Sequence, residues 1–314
     1  MPEGKRSVKC FGMEVGGKMK SKVNRAAEKP KKSNKPGSLP YVWNRIRKRP
    51  LAMTGLIFVT ALFVLSFISP YLLKYGWETI DMRARYQMPS LQHLLGTDEL
   101  GRDELARILY GAKYTISIGF VSTGVSVVLG IIVGATAGYF GGRVDNFIMR
   151  CLDVFQAFPG ILLAIAISAV LGPGFTKVII AMGISGLSGY ARMMRANILS
   201  IRSSEYVEAA TSINCTTGRI ILRHIIPNAI SPLIVQMAMG IASAGLQASA
   251  LSFLGFGVKA PTPEWGSMLS SARSFIRDYP HMCVIPGIFI MLTVLSFNLV
   301  GDAIRDALDP KLRD

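Results

Sequence analysis

Three groups of residues in this 314-residue chain have types and spacings that suggest a reaction or a recognition event. The first is Gly12-Met-Glu-Val-Gly-Gly17-Lys18, which has the glycine and lysine spacing of a loop that wraps phosphate in backbone amides. Met19 stands where the magnesium-coordinating Ser or Thr belongs, and no strand pattern precedes it, so nucleotide binding on this chain is not expected. The second group is the possible metal ligands. His93, His224 and His281 are far apart, no His-Glu-x-x-His occurs, and Cys10, Cys151, Cys215 and Cys283 form no Cys-x-x-Cys pair. Neither a metal centre nor a disulfide framework is expected. The third group lies in residues 200–227, where Glu205 and Glu208 are followed by Arg219 and Arg223. Taken alone they mark a polar two-helix knob that must protrude from its apolar surroundings and is shaped to receive a push, with Glu208 equally readable as a solvated surface carboxylate. The expectation is a non-enzyme.

The local pattern around those charges reads as two short helices. Ser204 stands where a cap would start a helix over roughly Glu205–Ile213. Tyr206, Ala209, Ala210 and Ile213 then share one face, and Glu205, Glu208 and Ser212 another. Asn214 follows, a residue that tolerates the left-handed conformation ending a helix. Thr216 or Thr217 can cap a second helix carrying Arg219 and Arg223 one turn apart. Pro227 is expected to stop it and to push Ile226 toward extended geometry.

The rest of the chain cannot be a soluble scaffold for this hairpin. Half of its residues are hydrophobic and only 17% charged, against about a quarter charged in soluble domains. Six apolar runs approach the roughly 20 residues needed to cross a bilayer: Leu51–Leu73, Thr115–Tyr139, Val154–Leu171, Val178–Met194, Pro232–Leu254 and Val284–Val300. The expected fold is all-α: a polytopic membrane protein with six transmembrane helices, from which the two-helix hairpin must protrude because its polar faces cannot meet lipid. The fourth run is the weakest. It contains Gly183, Gly186, Gly189, Ser185 and Ser188 and suits either a buried helix or a re-entrant segment.

Charge sets the expected topology. Residues 1–50 carry fifteen Lys and Arg against three acids, a balance of +12, while the remainder carries +4. The excess is one basic, disorder-prone tail over 1–40, read as a cytoplasmic anchor touching anionic lipid rather than as a nucleic-acid binder. Met13 and Met19 leave open a start downstream of Met1. Arg45, Arg47, Lys48 and Arg49 precede the first run and should hold the N-terminus in the cytoplasm. Counting runs forward places 200–227 and the C-terminus there too. The divisions expected are the tail 1–40, a region 41–112 with the first span and an outer segment, a core 113–303, and a short tail 304–314.

Other polar positions invite two readings. Thr97 precedes Asp98 and Glu99 as a cap would, opening an amphipathic helix that runs into the second span. Gly130, Gly134 and Gly138 make a smooth strip along that span, allowing another helix to approach. Gln236, Gly240, Ser243 and Gln247 form a polar stripe on the fifth, which is either a helix interface or a translocation path. Ionisable residues gather near span ends (Arg150, Asp153, Arg192). A secondary transporter or channel, which needs such groups deep in its spans, is therefore the second-ranked class.

Here a resemblance becomes specific. Glu208-Ala209-Ala210, a turn at 214 and His224-Ile-Ile-Pro227 resemble the EAA loop of ABC-importer permeases. Leu95-Gly-Thr-Asp-Glu-Leu-Gly-Arg-Asp103, Ala137-Gly-Tyr-Phe-Gly-Gly142, Gly189-Tyr-Ala-Arg192, Leu251-Ser-Phe-Leu-Gly-Phe-Gly257, Pro261-Thr-Pro-Glu-Trp-Gly-Ser-Met-Leu269 and Gly301-Asp-Ala-Ile-Arg-Asp-Ala-Leu-Asp-Pro310 resemble the C-type permease of dipeptide, oligopeptide and nickel importers. Asn214 stands where that family usually has glycine. The resemblance implies a pore subunit of the prokaryotic inner membrane, paired with a homologous second permease and two cytoplasmic ATPases, and fed by an extracytoplasmic solute-binding protein. ATP and magnesium would sit on the ATPases, with no cofactor on this chain. It implies coupling through Glu208, Ala209, Ala210, Asn214, Arg219, Arg223 and Pro227. The stripe of Gln236, Ser243 and Gln247 stays open as pathway or helix interface, and the resemblance suggests Trp265 with 74–114 as contacts for the binding protein.

Overall fold

A computed structural model describes residues 39–308. The phosphate-loop-like stretch, Cys10 and nearly all of the basic tail lie outside the described residues, as do 309–314.

The described residues are helical, with one isolated bridge between Thr97 and Asp103 as their only extended pairing. A short amphipathic helix, α1 (Leu39–Arg47), leads into α2 (Pro50–Leu72). Then come α3 (Glu104–Phe140), α4 (Gly142–Gln156), α5 (Gly160–Leu171) and α6 (Phe175–Arg202). The hairpin is α7 (Glu205–Ser212) and α8 (Thr217–Arg219), a π-type turn Ile220–Ile225, and α9 (Ile226–Ala229). The chain closes with α10 (Ser231–Phe253), α11 (Trp265–Ala272) and α12 (His281–Leu308).

Four of these helices, α2, α3, α10 and α12, are long and apolar enough to cross a membrane. The expected run Val154–Leu171 is not one helix. It is split between α4 and α5, which meet at 89°. Pro159 explains the break: it disfavours helical geometry at Phe158 and cannot donate to the ladder. At 12 residues α5 spans only about 18 Å, so the pair makes at most one crossing between them. The weak point thus lies in the third run, and the fourth is continuous. Helix α6 has 28 residues, long enough to cross, but Lys177, Arg192, Arg195 and Arg202 lower its hydropathy. It tolerates them because Ala181, Gly183, Ala191 and Met194 bury its other face in protein.

Helices α3 and α6 run side by side in the same direction. A Cβ on Gly130 would lie 2.5 Å from that of Tyr190, one on Gly134 would lie close against the Ala191 carbonyl, and one on Gly138 would lie 3.0 Å from that of Ile198. The glycine strip does what its spacing implied. A parallel pair requires the chain between to travel back along the bundle, and the bent α4–α5 unit is that return. Asp145 on α4 accepts two hydrogen bonds from the Arg195 guanidinium on α6, at 2.5 and 2.6 Å, and Asp153 pairs with Arg192 at 2.8 Å. Helix α10 then packs antiparallel to α3, with Gly119 against Ile241 and Gly245. The hairpin consequently lies at the same end as α1 and the last turns of α12, where Ile46, Ala52 and Ala303 form a small core and Arg49 pairs with Asp306 at 2.6 Å.

The opposite end corrects two expectations. Thr97 does not cap the long helix. Asp103 does, its carboxylate accepting from the Ala106 amide at 2.8 Å. Gly101, at φ +71°, turns the chain so tightly against the Asp81 carbonyl that no side chain fits, and the helix cannot begin before it. Thr97 instead ties the loop together by donating to the Ala84 carbonyl and accepting from the Gln87 amide. Trp265, expected to meet a binding protein, is fully buried and donates through its indole N–H to the Ile108 carbonyl at 3.0 Å. An aromatic ring with 0% exposure is core, not a contact surface.

Candidate functional site

The hairpin is built as a rooted lever. Ser204 holds the cap position in extended geometry, but its hydroxyl donates back to the Ile201 carbonyl at 2.6 Å, so the link to α6 is a tight turn rather than a side-chain cap. Helix α7 turns Val207 and Ala210 inward, where they pack with Met194 and Ile198 of α6, Ala135 of α3, Leu233 of α10, and Ile220 and Ile225 of the π-type turn. The ends of three long helices therefore meet on one apolar core under the hairpin. Asn214 takes φ +58°, and the Cys215 amide reaches back to the Ala210 carbonyl at 3.2 Å, closing the helix end.

Sequence periodicity placed Tyr206, Ala209, Ala210 and Ile213 on one face, but the tertiary structure divides them. Ala210 is part of the root. Tyr206, Ala209 and Ile213 are exposed, Ile213 at 76%, beside the exposed carboxylates Glu205 and Glu208. An apolar patch flanked by acids is thus left open at the tip. Between the tip and the end of α3 lies a cavity of about 600 Å³, lined by Tyr139, Phe140, Arg202, Glu208, Thr211 and Ser212 among others. Arg219 and Arg223 are exposed on the second limb.

Pro227 does not end that limb. Ile226 is helical at φ −56°, ψ −46°, and its amide bonds the Ile221 carbonyl five residues back. The π-type turn widens the ladder by one residue, and Pro227 falls in the first turn of α9, where a missing donor is harmless. Asn197 of α6 then donates to the Ala229 carbonyl at 3.0 Å, bracing the limb against the bundle.

Of the fifth-run stripe, Gly240, Ser243 and Gln247 line a second cavity, of about 260 Å³, together with Ser122, Thr123 and Ser126 of α3 and Ser185 and Tyr190 of α6. Gln236 is exposed and outside that lining, though its carbonyl accepts a long 3.5 Å bond from Tyr190. Ser122, Thr123 and Ser126 were missed in the sequence. They form a polar arc in the second run, the same signal that drew attention to the fifth.

The protein-family model described as "binding-protein-dependent transport system inner membrane component" matches residues 126–314. The chain belongs to that family. A second model, the N-terminal transmembrane domain of oligopeptide transport permease C, matches 40–89. This permease is 42% identical, over 86% of its length and 89% of the relative's, to the dipeptide transport system permease protein DppC of Alkalihalophilus pseudofirmus. It is 43% identical over 86% of its length, and 90% of the relative's, to the glutathione transport system permease protein GsiD of Escherichia coli. Among solved structures, an inward-facing MetNI methionine ABC transporter matches its fold with TM-score 0.52 at 17% identity, covering 64% of this chain and 96% of that one. The permease is therefore a multi-pass inner-membrane subunit of the ABC-importer class, and the secondary-transporter alternative falls.

The turn at 214 yields a test. A non-glycine residue in the left-handed conformation is held there at roughly 1–2 kcal/mol, less for asparagine. Asn214→Gly is expected to raise the thermal midpoint of the detergent-purified permease slightly, and Asn214→Ala to lower it. A lower midpoint for the glycine variant would show that the asparagine side chain, not its backbone tolerance, matters.

Proposed function

We propose that this permease moves short peptides across the inner membrane, driven by two separate cytoplasmic ATPase subunits that grip α7. The carrying observation is the division of α7, with Val207 and Ala210 buried where α3, α6 and α10 meet and Tyr206, Ala209 and Ile213 open beside Glu205 and Glu208. A push on the exposed face is transmitted through a packed core to three long helices at once. Packed interiors transmit strain rather than absorb it. Glu208 accepts a charge-assisted hydrogen bond from the motor, Ala209 permits close approach, and Ala210 and Asn214 keep the lever rigid. Arg219 and Arg223 flank the docking surface, and Pro227 lies where the limb rejoins the bundle.

The remaining assignments follow from this reading. A homologous second permease completes the pathway, with six crossings from this chain, and an extracytoplasmic binding protein delivers cargo to the end containing 74–114. Both termini and the hairpin face the cytoplasm, held by Arg45, Arg47, Lys48 and Arg49 near anionic lipid. ATP and magnesium belong to the ATPases. Peptide cargo is supported by relatives whose names specify dipeptide and glutathione. Nickel ranks below it.

Reconstitution tests the proposal. The chain alone in proteoliposomes should move no di- or tripeptide with or without ATP, and addition of the sister permease, the ATPases and the binding protein should establish ATP-dependent uptake. Solute movement by the chain alone would overturn it.

A further inference from the structure

A groove of about 400 Å³ runs between α2, α3 and α12. Its wall is almost entirely apolar, formed by Val59 and Phe63 of α2, Ile116, Phe120 and Val121 of α3, and Phe297 of α12. Phe120 is 53% exposed and Val121 44%, so the groove is open along its side. At about 3.6 residues per turn it lies on the face of α3 roughly opposite Ser122, Thr123 and Ser126, which line the polar cavity. Lys113 stands one turn before Ile116 and Ser117, toward the end away from the hairpin. Its Nζ lies 3.5 Å from the Tyr110 ring centroid, 5.3 Å from that of Tyr114 and 5.7 Å from that of Phe67. Phe67 meets Phe63 edge-on at 5.2 Å, which joins the ammonium to the groove, and Trp77 stacks on Tyr110 at 4.5 Å. Lys113 is half-buried and enters no ion pair among the described residues.

We propose that this groove binds one anionic phospholipid of the leaflet opposite the hairpin, its phosphate on Lys113 and one acyl chain along Phe63, Ile116 and Phe120. Trp and Tyr rings gather where hydrocarbon meets headgroups, so the cluster of Trp77, Tyr110 and Tyr114 sets Lys113 at headgroup level. From Lys113 to Val121 the helix descends about 12 Å, which fits within the roughly 15 Å of hydrocarbon that one leaflet supplies. A cation at the polar end with an apolar wall below it matches the head and tail of a single amphiphile. The rings attract the ammonium without neutralising it, and an ammonium carries three donors, so N–H groups remain for a phosphate. A zwitterionic lipid brings its own cation to the same place and gains less. The site goes beyond the importer reading, since it touches neither cargo nor motor.

The test uses the assembled transporter and, in parallel, the isolated permease, each purified in detergent and stripped of lipid. Both are titrated with dioleoyl phosphatidylglycerol or dioleoyl phosphatidylcholine, and bound lipid is counted by native mass spectrometry. The site is read as the difference between wild type and variant. Wild type is expected to hold one phosphatidylglycerol about fivefold or more tighter than phosphatidylcholine, the factor that one lysine near anionic lipid supplies. Lys113→Gln is expected to erase that preference and Lys113→Arg to keep it. Ser117→Phe, which fills the groove, is expected to weaken both lipids about fivefold or more. Equal affinity of wild type for the two lipids overturns the site, as does unchanged binding in Lys113→Gln or in Ser117→Phe. So does phosphatidylglycerol held by the isolated permease but not by the assembled transporter, because that would make the groove a protein interface. Transport is not the readout, so a failed lipid site leaves the importer reading standing.

Discussion

Glu208→Lys is expected to abolish uptake, by about 100-fold or more, with the permease still inserted and folded. The carboxylate is exposed at the tip of α7, and it lines the 600 Å³ cavity beside Arg202. Its loss removes no buried contact, so stability should be unaffected. A hydrogen bond to a charged group contributes about 1.5–3 kcal/mol, and reversing the charge adds repulsion at the same point. Together these exceed the roughly 2.7 kcal/mol that corresponds to a hundredfold change. The measurement pairs uptake in cells with co-purification of the ATPases. Normal uptake with normal ATPase association would remove Glu208 from the lever's working face. A variant that fails to insert would instead show a structural role.

The second large effect is expected from Gly134→Leu. A Cβ at Gly134 would lie 2.8 Å from that of Met194 and closer still to the Ala191 carbonyl. A backbone oxygen cannot rotate away as a long side chain can, so α3 and α6 must separate. Overpacking typically costs about 1–3 kcal/mol and sometimes more, and here the obstruction is backbone and the substituent large. A fall of roughly 6–12 °C in thermal midpoint is expected at about 2–4 °C per kcal/mol, with aggregation in size-exclusion chromatography. Gly124→Leu, where nothing lies within 4 Å of the added Cβ, should be nearly neutral on the same helix. Equal damage at both positions would show that glycine is needed for helix flexibility rather than for close approach.

Much of this permease is legible in its sequence for a simple reason. Lipid demands long apolar runs, and such runs are local. The positions of α2 and α10 follow from hydropathy to about one residue. Helix α3 starts well before the expected Thr115 and α12 runs well past the expected Val300, because both helices continue beyond their apolar runs. The glycine strip of α3 follows from a spacing of four. The turn at Asn214 is equally local, because left-handed geometry selects a very short list of residues. The break at Pro159 was also available in principle, but hydropathy averages over it, and an apolar run looks the same whether straight or bent.

What only the tertiary structure decided is which side of each element faces protein. The indole of Trp265 is buried because it meets the carbonyl of Ile108, 157 residues away in sequence. Ala210 turns inward and Ala209 outward because the ends of α3, α6 and α10 meet on one side of α7. Thr123 and Gln247 share a cavity only because α3 and α10 pack against each other. In each case a residue's local propensity is nearly the same on either face. The choice is made by packing between helices distant in the chain, and no window of neighbouring residues contains it.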